Sequence, residues 1–313
     1  MATKLFCDLH SVKAILFRRF SPITHFSNNI NINCRRDAHS TIDPKDIFQA
    51  NPKIIKTFWD PEGIFKALHT FNYLRVPYIR DSLIEIAPGE KFSTCLKGKK
   101  ILDVGCGPGL LSEGLAKLGA EVTGIDANRE LIEMAKNHGY KNKRLANNLP
   151  NYIWTTIDKN TRTDKVDLYG TFFIICFPYI QNLFQDHSNT YADNYDAIVV
   201  SEVIEHVAEK ELFVESCVRA TKPGGKLFFT TPSRTRFAQF FIIFTFENIL
   251  RNYPKGAHQY EKFMRPSELQ FMLEMNDCFV ESIKGYFYYP WGNNWEWTKN
   301  KMFSFAIEAI KST

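Results

Sequence analysis

Short apolar runs recur along the chain, and in several of the stretches between them apolar residues return every three or four positions. The runs predict buried strands, and the longer spacing predicts amphipathic helices. Strands are predicted at 99–105, 121–126, 152–157, 196–202 and 226–231, and the last two at 279–288 and 302–311. This alternation predicts an α/β fold built on a mostly parallel, doubly wound sheet.

Segments that precede or interrupt this pattern define the predicted domain organisation. Residues 41–98, helical in pattern over 51–92, are predicted to form an N-terminal lid ahead of the main domain at 99–313. Within that domain, 159–194 makes a long connection between the third and fourth strands and is predicted to be an insertion. The segment 233–255 contains a strongly apolar stretch.

The first predicted strand leads into a glycine-rich loop, ILDVGCGPG at 101–109. Gly105, Gly107 and Gly109 follow the spacing G-x-G-x-G, whereas a dinucleotide fingerprint would place its third glycine at Leu110. Glycines let a ligand approach the backbone closely, and the helix that follows favours negative charge at its N-terminus. The spacing disfavours an NAD-dependent dehydrogenase.

The second predicted strand ends in an acid, Asp126, which lies 17 residues after Gly109. This offset is close to the roughly 20 residues at which an acid meets a ribose in this topology. A carboxylate there can accept hydrogen bonds from both ribose hydroxyls. The alternative is that Asp126 caps the next predicted helix.

Composition and charge exclude several other classes of protein. The net charge of +5 comes without a basic stripe, so nucleic acid is not an expected partner. Seven scattered cysteines without a C-x-x-C pair favour a reducing compartment over a disulfide framework or a zinc ribbon. No run of about 20 apolar residues occurs, so no transmembrane helix is predicted.

Residues 1–40 have the composition of a targeting segment, with six basic residues, two acidic ones and many Ser and Asn. SVKAILFRRF at 11–20 would form the short basic amphipathic helix that is typical of a mitochondrial transit peptide. Charges interrupt its apolar stretch, which disfavours a secretory signal. The alternative is a disordered basic tail; as a transit peptide, the segment would be cleaved near Arg36.

The fourth predicted strand leads into an acidic motif that ends in a histidine, EVIEH at 202–206. If a helix begins there, Glu202, Glu205 and His206 share one face. Two carboxylates and an imidazole can hold a divalent metal, and the carboxylates favour Mg²⁺. The alternative is a solvated helix start with a locally packed histidine.

The apolar stretch FAQFFIIFTFENIL occupies 237–250 and is flanked by Arg234, Arg236, Arg251 and Lys255. It is too short to span a membrane and suits an interfacial segment with basic anchors. A buried core helix is the alternative.

Several of these motifs together resemble a known family. The loop pattern D-x-G-x-G-x-G resembles motif I of the class I S-adenosylmethionine-dependent methyltransferases. With IIKTFWDPEGIFKALHTFNYLRVPYIR at 54–80, SEVIEHV, KPGG and FENILRNYPKGAHQYEKF at 246–263, the chain is similar to the ubiquinone-biosynthesis O-methyltransferases of mitochondria and bacteria. The resemblance covers residues 50–290 apart from the insertion.

The resemblance implies a class I, Rossmann-like methyltransferase fold and specific site residues. Ser201 stands where such proteins commonly have Met, which weakens any apolar packing role there. The adenine end of the site would lie near Asp158, beside the insertion. The implied S-adenosylmethionine contacts are Arg75, Gly105, Asp126 and the position of Ser201, with Gly107 and Gly109 in the same loop; the implied Mg²⁺ ligands are Glu202, Glu205 and His206.

The family resemblance also implies a substrate and a location. The acceptor would be a polyprenylated catechol of ubiquinone biosynthesis, whose phenol has a pKa near 10 and is therefore mostly protonated at neutral pH. Mg²⁺ bound to vicinal oxygens would favour the phenolate. The enzyme would act on the matrix face of the mitochondrial inner membrane, beside lipid and other ubiquinone-biosynthesis proteins. Alternatives are methylation of another small phenol and a non-catalytic scaffold.

Overall fold

The computed structural model describes residues 57–84, 92–126, 128–154, 186–207, 209–249 and 259–313. The predicted transit segment 1–40, Asp158 and most of the insertion 159–194 lie outside these residues.

The described strands form one sheet in the order β3-β2-β1-β4-β5-β8-β6-β7. The first five strands run parallel, β8 is antiparallel to both β5 and β6, and β7 pairs with β6 as an antiparallel hairpin. The predicted doubly wound α/β fold is confirmed. The strands are β1 (Lys100–Val104), β2 (Glu121–Asp126), β3 (Asn151–Trp154), β4 (Tyr195–Ser201), β5 (Thr221–Pro232), β6 (Cys278–Tyr289), β7 (Asn294–Thr298) and β8 (Ser304–Lys311).

Helices pack against the sheet and begin or end where the sequence supplies a signal. Asn128 caps the helix that begins at Arg129 by accepting from the backbone N–H groups of its first turn. The helix after the glycine loop ends at Ala116, and Gly119 takes a φ of +94° in the turn that follows. The helices are α1 (Lys66–Leu83), α2 (Leu110–Ala116), α3 (Arg129–Lys141), α4 (Lys210–Ala220), α5 (Arg236–Ala238, continuing as the wider π-helical segment Gln239–Ile249) and α6 (Pro266–Met275), with single 3₁₀ turns at Phe92–Thr94, Lys143–Leu145, Ile204–His206 and Tyr260–Lys262.

Both faces of the sheet are covered because consecutive residues of a strand point to opposite sides. Leu102 of β1 packs with Phe213 of α4 and Leu269 of α6 in one hydrophobic cluster. Ile101 points the other way and packs with Phe71 of α1. The central strands are therefore buried on both sides, which explains why they occur as continuous apolar runs in the sequence.

The structure bears on several predicted strands. The third strand is predicted over 152–157 and is described as Asn151–Trp154, and residues 155–157 lie outside the described chain. β5 begins at Thr221 rather than 226, and its pairing with β4 shifts register between Thr221 and Lys226, across the KPGG stretch. β7 was not predicted, whereas the last two predicted strands are confirmed as β6 and β8.

The apolar segment predicted over 237–250 forms the larger part of α5. Phe241 packs against Phe287 and Phe303, while Phe240 and Phe244 are about half exposed and stack on each other. Among the described helices, none has the length and apolar character needed to cross a bilayer.

Candidate active site

The glycine loop joins β1 to α2 at the carboxyl edge of the parallel strands, where ligands bind in open α/β sheets. The N–H groups of Gly105 and Cys106 both donate to the carbonyl oxygen of Ile125, at 2.8 and 3.1 Å, which ties the loop to β2. A Cβ on Gly105 would lie 2.5 Å from a methyl group of Val203, so a side chain does not fit there. A Cβ on Gly107 would meet no heavy atom within 4 Å, so this part of the loop faces open space.

Asp126 ends β2 beside this loop. Its Oδ2 accepts from the N–H of Gly107 at 2.9 Å, and its Oδ1 accepts from the N–H of Asn128 at 2.7 Å. The side chain of Asn128, in turn, accepts from the N–H groups of Glu130 and Leu131. The cap of α3 is therefore Asn128, and the carboxylate of Asp126 is directed to the glycine loop.

Arg75 reaches the site from α1 and is buried. Its Nη1 donates to Oγ of Ser201 at 2.8 Å and its Nε donates to Oδ1 of Asn72 at 2.7 Å, so its hydrogen-bond partners in the described part of the chain are neutral. The guanidinium also lies over the ring of Phe71, 5.0 Å from its centroid. Burial lowers the pKa of Arg75, and the nearby carboxylates oppose that shift. Asn72 also donates to the carbonyl oxygen of Leu110 and so docks α1 on α2.

Asp103, the acid before the first glycine, lies beneath the loop and is buried. The hydroxyl of Ser112 on α2 donates to its Oδ2 at 2.6 Å. Burial raises the pKa of Asp103 to about 6, although Ser112 and the charge of Arg75 act in the opposite direction. This carboxyl therefore links β1 to α2 below the candidate cofactor site.

Two adjacent threonines of β5 support the end of β4. Thr230 Oγ1 lies 2.9 Å from the hydroxyl of Ser201, and Thr231 Oγ1 donates to Oε2 of Glu205 at 2.9 Å. Successive residues of a strand point to opposite faces of the sheet, so adjacent threonines of one strand can bond to Ser201 and to Glu205.

The structure corrects the predicted arrangement of the acidic motif. Glu202 lies just past β4 with a φ of +57°, and a helical turn begins only at Ile204, so the premise of one shared helical face is wrong. Glu202 accepts a hydrogen bond from the hydroxyl of Tyr286, whereas Glu205 is buried, and its Oε1 has no hydrogen-bond partner among the described residues. His206 is partly buried at the end of that turn.

Burial, and secondarily the charge of Glu202, raises the pKa of Glu205 to about 8. Across the described ranges no group of three or more His, Cys, Asp and Glu side chains is placed to hold a metal ion.

The structure thus brings the predicted cofactor residues together along one edge of the sheet. Arg75 and Ser201 are in direct contact, and Asp126 contacts the loop that contains Gly107. Sequence reasoning missed four residues that hold the predicted site residues. Asn72 and Thr230 contact the predicted cofactor residues Arg75 and Ser201. Thr231 and Tyr286 contact the predicted metal ligands Glu205 and Glu202. The threonines could have been found from their place at the end of the predicted fifth strand; Asn72 and Tyr286 carried no comparable signal.

Comparisons with known proteins agree with this geometry. Residues 75–282 match a family model described as a methyltransferase domain. The chain is 36% identical over 274 residues to the mitochondrial ubiquinone biosynthesis O-methyltransferase of Rattus norvegicus, covering 87% of this chain and 70% of that protein. It is 33% identical over 273 residues to the ubiquinone biosynthesis O-methyltransferase of Sinorhizobium fredii, covering 87% of this chain and 97% of that protein.

The mammalian relatives are longer than the matched region, and the chain spans 64% of the human protein. Among solved structures, magnesium protoporphyrin IX methyltransferase from Synechocystis with bound S-adenosylmethionine aligns with a TM-score of 0.51. That alignment has 16% sequence identity and covers 87% of this chain and 98% of the other. At this level of sequence identity, the alignment shows that the two proteins share a fold.

Proposed function

The chain belongs to the ubiquinone biosynthesis O-methyltransferases, which are class I S-adenosylmethionine-dependent methyltransferases, and from that premise we propose that it methylates a ring hydroxyl of a polyprenylated catechol in ubiquinone biosynthesis. The observation that carries the proposal is the direct contact of Arg75 with Ser201 beside the glycine loop. It gives the carboxyl edge of the sheet a buried cation that, among the described residues, donates hydrogen bonds to Ser201 and Asn72 and to no carboxylate.

The cofactor would be held by three groups with different tasks. Arg75 supplies a cation for the methionine carboxylate, since a guanidinium pairs well with a carboxylate in a site shielded from water. The open backbone at Gly107 allows close approach of the ligand. Asp126, whose carboxylate is held beside the glycine loop by the N–H groups of Gly107 and Asn128, would accept hydrogen bonds from the ribose hydroxyls.

Mg²⁺ is part of the proposal, with Glu202, Glu205 and His206 as its ligands. Oε1 of Glu205 is buried without a hydrogen-bond partner among the described residues, and the carboxylate of Glu202 lies near it, so two acidic groups face the same spot. Such hard oxygen donors suit Mg²⁺. When bound, the metal would stabilise the phenolate form of the acceptor.

The residues of the chain would then contribute mainly by positioning. β1, β2 and β4 end at the same edge, so a cofactor on the glycine loop and an acceptor beside Glu202 would be held next to each other. Holding two reactants in line can lower a barrier by several kcal/mol, on the order of the 7–11 kcal/mol reached in well-oriented systems.

A polyprenylated acceptor implies access to a lipid surface, and the curated mammalian relatives are named as mitochondrial. We place the enzyme in the mitochondrion, on the matrix face of the inner membrane, with residues 1–40 as its transit segment and other ubiquinone-biosynthesis proteins as partners. The exposed rings of Phe237, Phe240 and Phe244 on α5 support contact with lipid.

The test is methyl transfer from S-adenosylmethionine to a short-chain polyprenyl catechol, with Mg²⁺ and with a chelator. Glu205→Gln should lose at least 10-fold in turnover while binding the cofactor normally, because it removes a metal ligand outside the cofactor contacts. Glu211→Gln is the matched control, since Glu211 is exposed on the next helix.

Chelator-resistant turnover, or full activity in Glu205→Gln, would contradict the role of the metal. Cofactor binding without transfer to any catechol would contradict the proposed acceptor.

A further inference from the structure

Glu202 is held in an unusual backbone conformation. Its φ of +57° lies in the left-handed region, which costs a residue with a Cβ roughly 1–2 kcal/mol. A hydrogen bond from its N–H to the carbonyl oxygen of Thr230, at 2.9 Å, fixes this conformation. Residues strained in this way persist where surrounding contacts enforce them, and they are frequent at functional sites.

The side chain of Glu202 is held from another part of the sheet. The hydroxyl of Tyr286, on β6, donates to its Oε1. β6 stands three places from β4 in the sheet order, so Tyr286 reaches across the edge of β8 and β5. Tyr286 is fully buried, with its ring against Phe71 and Trp295, so the hydroxyl has little freedom to move.

These contacts belong to a continuous hydrogen-bonded series of residues. Arg75 donates to the hydroxyl of Ser201, which bonds to Oγ1 of Thr230, and the carbonyl oxygen of Thr230 accepts from the N–H of Glu202. Tyr286 then holds the carboxylate of Glu202. The series begins at a cofactor residue and ends at an acceptor or metal residue. Ser201 joins it through its hydroxyl.

We propose that Tyr286 is a positioning residue that fixes the carboxylate of Glu202 relative to the cofactor residues Arg75 and Ser201. The inference rests on the proposed function, since it assigns Glu202 to the acceptor and metal side of the site. Loss of the tyrosine hydroxyl frees a carboxylate that the backbone still presents, so binding of acceptor and metal suffers while the cofactor contacts remain.

β6 provides a matched control two residues along the strand. Tyr288 is also buried, with 2% of its surface exposed, and its hydroxyl donates to Oδ1 of Asn293 at 2.9 Å, away from Glu202. Tyr286→Phe and Tyr288→Phe therefore remove the same atom from the same strand face. A purely structural role of the hydroxyl would affect both variants alike.

The experiment compares these two variants with the wild type, all as full chains, in three measurements. Cofactor affinity is measured by calorimetry, and Mn²⁺ affinity is measured by electron paramagnetic resonance. The constants kcat and KM are measured with a short-chain polyprenyl catechol as the acceptor. Tyr286→Phe should bind S-adenosylmethionine as Tyr288→Phe does. It should lose 10- to 100-fold in kcat/KM for the acceptor and in Mn²⁺ affinity, the range typical of residues that orient metal ligands.

Equal acceptor kinetics and equal Mn²⁺ affinity in the two variants would overturn the positioning role. If the wild type transfers no methyl group to any catechol, the proposed function fails, and the difference in Mn²⁺ affinity still decides the role of Tyr286. If turnover proves independent of metal, the KM for the acceptor, compared between the two variants, decides the role of Tyr286. Absence of both turnover and Mn²⁺ binding in the wild type would overturn both proposals.

Discussion

At the residue scale, the site depends on charged groups that are removed from water and held by small polar neighbours. Arg75 and Asp103 are both buried, and each is held by a hydroxyl, from Ser201 and Ser112 respectively. A charged group in such surroundings responds strongly to a change of geometry or of protonation. Substitutions at these residues should therefore affect binding and stability in separable ways.

Arg75→Lys should weaken S-adenosylmethionine binding by about 10- to 100-fold, equivalent to about 1.4–2.8 kcal/mol. A lysine keeps the charge but cannot reproduce the planar donor geometry that pairs with a carboxylate. Arg80→Lys on the same helix is the control, because Arg80 pairs with exposed Asp81 instead. Calorimetric titration measures both, and equal affinities would remove Arg75 from the cofactor site.

Asp103 should make the protein less stable as pH rises. Its pKa is about 6 in the folded protein and about 3.9 when unfolded, so the folded state binds the proton more tightly. Its contribution to stability is therefore present below about pH 4 and is lost as pH rises through 6, a change of about 3 kcal/mol.

Asp103→Asn removes this titrating group. In urea unfolding, the stability of the wild type relative to the variant should fall by about 3 kcal/mol between pH 3.5 and 7. A constant difference across that range would show that the carboxyl titrates normally in the folded protein.

Much of the candidate site was predictable residue by residue, and the remainder depended on distant contacts. The glycines and Asp126 were predicted from their positions at the ends of the first two predicted strands. Arg75 and Ser201 were predicted from the family resemblance. Tyr286 lies 84 residues from Glu202 in the chain, and no local pattern links them.

At the element scale, Gly107 and Gly109 of the glycine loop meet two different requirements, access for a ligand and close packing of the fold. A Cβ on Gly109 would lie 2.9 Å from Cζ of Tyr152, so the side of the loop facing β3 is closed by packing. Gly107 borders open space. One glycine therefore serves the packing of the fold, and the other serves close approach by a ligand.

Gly107→Ala should preserve the fold at a cost of about 1–2 kcal/mol for its positive φ, while cofactor affinity falls at least 10-fold. Gly109→Ala should lower the melting temperature further, because the new methyl group also collides with Tyr152. Thermal unfolding and calorimetry separate the two effects. The reverse order of stabilities would contradict this account of the loop.

The acidic motif shows where prediction of elements failed. Spacing of i, i+3 and i+4 indicates a shared face only inside a helix, and Glu202 stands before the turn in a left-handed conformation. β7 was missed because it is short, lies at the sheet edge and is mostly exposed. The central strands were found because burial on both sides leaves continuous apolar runs.

At the scale of the whole molecule, exposed apolar side chains form more than one surface. Phe240 and Phe244 project from α5, whereas Phe271 and Met275 are exposed on α6. Both pairs have similar apolar character, but the first is preceded by Arg234 and Arg236. Basic residues beside apolar rings favour an anionic lipid surface, so the two pairs are expected to behave differently.

The double substitution Phe240→Glu with Phe244→Glu should reduce flotation of the protein with anionic phospholipid vesicles at least 10-fold, since it places negative charge on the proposed contact surface. Phe271→Glu with Met275→Glu should leave flotation near that of the wild type. Equal flotation of both double variants and the wild type would end the assignment of α5 to lipid.

The parallel, doubly wound character of the sheet was predictable from the alternation of strands and helices, because parallel strands need crossover connections. The order of the strands came from the structure. The chain's larger departures from that scheme, 1–40 and most of 159–194, lie outside the described residues. The predicted targeting role of the first and the predicted insertion therefore stay predictions.

Thr230 and Thr231 also limit how the length of β5 can vary. Thr230 supports Ser201 on one face and Thr231 supports Glu205 on the other. Inserting or deleting one residue in the paired part would turn each threonine to the opposite face, detaching both supports at once. The irregular pairing near Gly224 can absorb such a change without moving them, so natural length variation in β5 belongs at its beginning.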